Sequence, residues 1–244
     1  KILNNTCVIH TSNSNSENIY ARVFKFKKLL SLSAFAFPVK LDNFVPNFSK
    51  LAAFKFIFSI INSFIFGIFS SINVFNNVRF QRLNSQEISN ADLEYFSDNH
   101  VSLLKTCESI RWRYFDSPYN YEVYRVLESN INIGSIVVRR AILNGVKYLV
   151  IMDFVPNEKL SVVKVFKLRL RLVSLSLEYK VDALFGMFNA DNDIGKGFFK
   201  FPFVKVPDRF LPHATPIFIS SNSNDLSLDN LAKMYFSLSD LDYF

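Results

Sequence analysis

Arg111, Arg113 and Asp153 put two guanidinium groups and a carboxylate into the most regularly patterned part of this sequence. Groups of this kind recognise a polar ligand through charge-assisted hydrogen bonds, and they equally form internal ion pairs that order a fold. Other reactive side chains stand alone. His10, His100 and His213 have no nucleophile motif beside them, so a structural or solvated role suits each. Cys7 and Cys107 lie a hundred positions apart, with no CxxC pair or Cys/His cluster that would hold zinc or build a disulfide scaffold. Reduced thiols in the cytosol fit this usage. Gly195-Lys196-Gly197 lacks the spacing of a phosphate-binding loop and reads as a turn. No GxSxG or HExxH motif occurs.

The chain that must position these groups has 244 residues, enough for one large or two small domains. Half of it is hydrophobic and 20% is charged, so it can bury a core. The 28 phenylalanines follow as readily from an AT-rich coding sequence as from function. A net charge of +7 raises the question of nucleic acid, but the charges are dispersed and no run of four Lys or Arg occurs, so no nucleic-acid partner is expected. The first residue is Lys1 and no signal peptide follows, which leads us to expect a C-terminal fragment.

Residues 7–10 form a short apolar run that suits a strand. A helix starts near Ser16 and closes at Lys27 and Lys28, with Ile19, Val23 and Phe26 at helical spacing. Residues 29–37 suit a strand. Residues 56–75 hold twenty positions without a charge, about 30 Å as a helix. Lys55, Ser59, Asn62, Ser63, Gly67, Ser70 and Ser71 make a narrow polar stripe along it, which favours a buried or membrane-surface helix over a transmembrane span. Residues 76–90 are polar and read as linker. Residues 91–113 read as helical, 121–127 and 131–142 as strands, and Asn144-Gly145 as a hairpin turn into a strand over 146–154. Residues 160–179 form an amphipathic helix with a polar stripe of Lys164, Lys167, Arg171, Ser174 and Glu178, of which Lys164, Lys167 and Arg171 are expected to face solvent. A strand over 182–188, a helix near 193–199 and a strand over 215–219 follow. The order is α/β, with Trp112 and Tyr114 expected in the core.

Two stretches resemble the GNAT acyltransferases, specifically bacterial members with tandem GNAT-like halves associated with surface-glycan (polysaccharide) biosynthesis. Residues 12–26 are similar to the family's fourth-helix motif through Asn13, Ser16, Tyr20, Arg22 and Phe26, with Lys25 where the family has glycine. Ile110-Arg111-Trp112-Arg113-Tyr114-Phe115-Asp116-Ser117-Pro118, followed by Tyr121, is similar to the signature that opens the second half. Gly134, the hairpin and Asp153 follow in the family's order, and Ser239-Asp240-Leu241-Asp242 resembles its ending. The resemblance covers roughly residues 7–40 and 105–244. It implies a mixed α+β fold, a GNAT-like twisted sheet flanked by helices and preceded by a long hydrophobic linker helix. The implied division is a remnant of a first domain at 1–45, a hydrophobic helix and polar linker at 46–90, and a second GNAT-like domain at 91–244.

The implied activity is N-acetyltransferase-like: acyl transfer from acetyl-CoA or another acyl-CoA, without a metal, to an amine of a small acceptor such as an amino sugar or nucleotide sugar. Tyr20 is then either a general acid toward the CoA thiolate or a packing residue of an amphipathic helix. Asn13 either contacts CoA or caps that helix. Arg111, Arg113 and Asp153 either line the acceptor pocket or pair internally. A pyrophosphate cradle needs a Gly-rich turn with free backbone N–H groups before a helix. The corresponding residues 155–159 contain no glycine, Pro156 lacks an N–H and Glu158 adds negative charge, so CoA is expected to bind upstream of Lys1 and this fragment alone to be inactive. The alternative is a non-catalytic GNAT-like module that recognises a glycan or a partner protein. A third reading tethers the protein to a membrane through 56–75. The location implied is cytoplasmic, peripheral at the inner membrane.

Overall fold

The computed structural model describes residues 7–11, 17–40, 60, 63, 64, 67, 71, 76–89, 106–143, 145–157, 160–190, 193–198, 200, 202–207 and 216–221. Two sheets organise them. β5 (Tyr121–Glu128), β6 (Ile131–Leu143) and β7 (Val146–Pro156) form an antiparallel meander, as the alternating apolar runs and the Gly145 turn require. β4 (Val78–Arg82) extends it on one side, and β8 (Ala183–Phe188), β3 (Ser33–Pro38) and β9 (Val204–Lys205) on the other. The order is β4-β5-β6-β7-β8-β3-β9, mixed because β7 and β8 run parallel. β1 (Cys7–Thr11), β2 (Lys27–Ser31) and β10 (Pro216–Ser221) make a smaller antiparallel sheet in the order β1-β10-β2.

The two sheets exchange strands. β3 follows β2 after a single residue, Leu32, yet pairs with β8 and β9 in the large sheet. β10 comes last in the element order, yet sits between the two earliest strands of the small sheet. Backbone hydrogen bonds of each sheet therefore depend on chain from the other sheet's neighbourhood.

Short helices complete the layers. α1 (Glu17–Arg22) precedes β2, α2 (Cys107–Ile110) runs into a π-helical turn (Arg111–Phe115), and α4 (Asp193–Phe198) follows β8. Thr106 and Ser109 cap α2 reciprocally through side chain and backbone. The long helix α3 (Val162–Glu178) is capped by Ser161, whose hydroxyl accepts from Lys164 N–H at 3.3 Å. Leu168, Leu172 and Leu175 join Val126, Ile136, Leu149, Ile151 and Phe154 in one core on the α3 face of the large sheet. On the other face Leu30, Leu32 and Ile217 meet Ile110, Tyr114, Val137, Val150 and Met152 in a second core. Complete burial of such a side chain contributes roughly 1.5–3 kcal/mol, so both faces contribute to cohesion.

Four sequence expectations change. Residues 78–82, expected as linker, form β4 because Val78 finds a buried place against β5 despite its polar neighbours. Lys27 and Lys28, expected to close a helix, begin β2, and 29–37 divides into β2 and β3 at Leu32. Lys164, Lys167 and Arg171 do not face bulk solvent. Lys167 Nζ donates to Glu128 Oε1 at 2.7 Å and to Asn77 Oδ1 at 2.9 Å, Lys164 Nζ lies 3.6 Å from Glu128 Oε2, and Arg171 pairs with Glu178. Their stripe covers the β4–β5 edge. Trp112, expected in the core, is 68% exposed. Of residues 56–75, Ile60, Ser63, Phe64, Gly67 and Ser71 are described. All are helical and exposed, and the Ser71 hydroxyl donates to the Gly67 carbonyl at 2.8 Å. Among the described residues no helix is long and apolar enough to cross a membrane.

Candidate functional site

Regular pairing breaks in the large sheet where β8 leaves β7. β7 and β8 pair from Tyr148↔Ala183 to Ile151↔Gly186. Beyond that point Met187 and Phe188 pair with β3, while 152–156 continue on β6. β7 also bulges here: Ile151 lies opposite Val138 and Asp153 opposite Val137, which leaves Met152 as the extra residue. A bulge bends its strand and re-aims the side chains around it. Gly134, at φ +148°, serves the same region: a Cβ there would lie 2.5 Å from the Val155 carbonyl oxygen.

Asp153 follows the bulge and is buried. The Tyr114 hydroxyl donates to its Oδ2 at 3.2 Å, and the Phe154 N–H donates to its Oδ1 at 2.9 Å. Tyr114 reaches it from the π-helical turn, where Asp116 N–H donates to the Arg111 carbonyl at 3.1 Å. The widened turn sets the angle of Tyr114 relative to α2. Ser135 is buried on the same sheet face, two positions from Val137 on β6. A carboxylate, a phenol and an alcohol thus share the face where β8 departs from β7. Such a set accepts hydrogen bonds from an amine or a sugar hydroxyl.

The opposite face of that opening is filled. The Phe198 ring from α4 lies 5.6 Å from Phe154 on β7 and 5.0 Å from Phe188 on β8, so it bridges the two diverging strands. Phe35 stacks on Phe188 and Phe198, each at 5.6 Å, and Phe203 packs against Phe35 at 5.0 Å. Gly186 lets Phe35 approach, since a Cβ there would lie 2.6 Å from the ring. All five rings are buried. At the start of α3 the Ser161 hydroxyl already takes the Lys164 N–H, and Asn157 N–H donates to the Ile133 carbonyl at 3.1 Å. Glu158 lies outside the described residues. Among the described residues no group of three His, Cys, Asp or Glu converges as metal ligands.

The residues singled out in the sequence fall in different places. Asn13 lies outside the described residues. Tyr20, on α1, is half-buried against Phe24, Phe26 and Phe218, with ring centres 5.7, 6.0 and 5.8 Å away. Phe218 and Ile217 project to opposite faces of β10, and Ile217 belongs to the core that also holds Tyr114. The small sheet therefore stands between Tyr20 and Asp153. Arg111 donates from Nε to the Ser85 carbonyl at 2.9 Å and from Nη2 to the Ile88 carbonyl at 3.2 Å, which fixes the 84–89 turn. Arg113 is half-buried on the same π-helical turn as Tyr114. Lys25, where the resemblance expects glycine, has φ +55°. The backbone keeps the left-handed conformation that glycine favours.

Sequence reasoning missed a second polar group, on the α3 face. The Tyr124 hydroxyl donates to Glu122 Oε2 at 2.7 Å, and the Tyr179 hydroxyl contacts both that oxygen and the Tyr124 hydroxyl. Arg140 Nε lies 3.4 Å from Oε1 and Arg82 Nη1 3.7 Å from Oε2. Burial alone would raise the Glu122 pKa, but the hydroxyls of Tyr179 and Tyr124 and the charges of Arg82 and Arg140 outweigh it and hold it below the ordinary value. Burial, then the hydrogen bonds to Tyr179 and Glu122, raise the pKa of Tyr124. The available signal was Glu122 and Tyr124 two apart on a strand, with Tyr179 ending the helix.

No protein-family model and no curated protein matches the sequence. Solved structures do match the fold. The GCN5-related N-acetyltransferase from Anabaena variabilis aligns with a TM-score of 0.51 at 8% identity, over 86% of this chain and 45% of that one. The chain thus has the fold of the GCN5-related N-acetyltransferases, a large mixed sheet flanked by helices, and spans less than half the length of that protein.

Proposed function

We propose that this chain is part of an acyl-CoA-dependent N-acyltransferase, in which the large sheet serves acceptor recognition and the acyl-CoA site lies outside the described residues. The phenylalanine packing between β7 and β8 carries this reading. It occupies the α3 side of the opening with buried rings, while the other side keeps Asp153 and Tyr114. The acceptor class is an amine on a small polar molecule, an amino sugar or nucleotide sugar, held by Asp153 with Arg113 nearby. Arg111 supports that surface through the 84–89 turn. In the reaction the amine attacks the thioester carbonyl, a base removes its proton, and water protonates the departing thiolate. Tyr20, across the small sheet from Asp153, would then act as a packing residue, and Asn13 would contact the cofactor. The protein would work in the cytoplasm, with 56–75 as a peripheral membrane contact, in polysaccharide biosynthesis.

Titration calorimetry of the 244-residue chain tests the division of labour. We expect no micromolar binding of acetyl-CoA, and measurable binding of glucosamine or UDP-glucosamine that weakens in Asp153→Asn. Micromolar acetyl-CoA binding, or acceptor binding indifferent to that substitution, would sink the reading. The same phenylalanine packing favours a second reading, a non-catalytic module that binds a glycan. CoA release by the intact gene product with an amino sugar present separates the two.

A further inference from the structure

Arg169 is a charged residue on the apolar side of α3. It is 3% exposed. Its Nε and Nη1 are buried without a hydrogen-bond partner, and it forms no ion pair among the described residues. Guanidinium stays protonated at any physiological pH, so this charge cannot be removed by titration. An uncompensated charge in an interior is among the most costly features a fold can carry. An anion beside the guanidinium would remove that cost.

The surroundings say where it would lie. At 100° per residue Arg169 is on the opposite flank from Lys164, Lys167 and Arg171, so Glu128, which serves the two lysines, is on the wrong side of the helix. Side chains on a helix lean toward its N-terminus. The Arg169 side chain accordingly runs back over the preceding turn, and its Cζ lies 5.6 Å from the centre of the Phe166 ring. Val165 occupies the same flank one turn earlier and touches α4: a Cβ at Gly197 would lie 3.0 Å from Val165 Cγ1. The guanidinium thus lies beside Phe166, within one turn of the place where α3 meets α4.

We propose that Arg169 holds a small oxyanion, of the phosphate or carboxylate class, in the seam between α3 and α4. The site is separate from Asp153, which lies on the other face of the sheet, and does not depend on the acyltransferase reading. The test is thermal unfolding of the 244-residue chain and of Arg169→Met, titrated separately with inorganic phosphate and with acetate at ionic strength fixed by sodium chloride. The expected result is a saturable rise of the wild-type melting temperature with one of the two anions, and an apparent affinity at least about tenfold weaker in Arg169→Met. The anion that acts identifies the class. In buffer free of both, Arg169→Met should melt no lower than wild type, because a buried charge without a partner is replaced by an apolar chain of similar length. Equal responses of the two proteins, or a rise that tracks ionic strength alone (an adventitious ion only), would overturn the proposal. So would an Arg169→Met chain that melts far lower or fails to fold, since that points to an internal partner. As a second measurement, broadening of the phosphate ³¹P line by wild type but not by Arg169→Gln supports the phosphate class. Equal broadening by both counts against the site.

Discussion

Glu122 and Asp153 are buried carboxylates on opposite faces of the large sheet, and they are held in opposite ways. Glu122, on the α3 face, lies in a regular stretch of β5 and is enclosed by two phenols and two guanidinium groups. Asp153, on the other face, lies beside a bulge, at the end of the β7–β8 pairing, and meets Tyr114 from a π-helical turn. The first arrangement ties the end of α3 to β4, β5 and β6. The second occurs where three local irregularities coincide. Strand bulges and π turns cost regular hydrogen bonding and concentrate at functional positions. The difference teaches that burial of a carboxylate is not by itself a site marker; the state of the backbone around it discriminates.

The largest effect should come from the packing that closes the α3 side of the opening. Phe198→Ala is expected to lose about 3–5 kcal/mol of unfolding free energy by denaturant titration, from a cavity among four other rings. It should gain no acetyl-CoA affinity, because the start of α3 remains capped by Ser161. Gain of such affinity would show that the rings alone exclude the cofactor, and would make the two faces of the opening functionally alike.

Glu122→Gln should cost about 1.5–3 kcal/mol through weakened charge-assisted hydrogen bonds. The pH dependence has a definite sign. Glu122 has a folded-state pKa below its unfolded value, so its stabilisation is full above the ordinary carboxylate range and is lost as pH falls through the folded value. The variant should therefore lose less stability than wild type between neutral and acid pH. A parallel acid profile for both would remove Glu122 from its role as the latch of α3.

Lys25→Gly should stabilise by about 1 kcal/mol, since Lys25 holds φ +55° without the freedom of glycine. An unchanged midpoint would mean that contacts of the lysine side chain offset the strain. The smallest effect is expected at the β4–β5 edge. Lys167→Ala should cost roughly 0.2–1 kcal/mol, because the pair with Glu128 is half-exposed and solvent weakens it. High salt should shrink the difference; a salt-independent loss above that range would show packing rather than charge.

Local pattern made much of the large sheet legible. The Asn144-Gly145 pair and the apolar runs on either side locate the β6–β7 hairpin within two residues of its observed ends. The 160–179 periodicity locates α3 equally well. β4 was hard to read, because Val78 and Phe80 alternate with Arg79 and Gln81 over only five residues inside a polar stretch. The site was half legible. Asp153 and the 110–118 signature stood out, yet nothing in their order says that Tyr114 rather than Arg111 meets the carboxylate.

Residues within one or two turns of chain set the hairpin and the amphipathic helix, and both were readable from the sequence. Long-range packing alone put β3 in the large sheet and β10 in the small one, set Phe198 between β7 and β8, and buried Arg169 without an acceptor at Nε or Nη1. Those outcomes depend on which distant edges and rings meet. Hydrophobic burial favours any apolar partner equally, so only the closed packing of the whole chain selects among them.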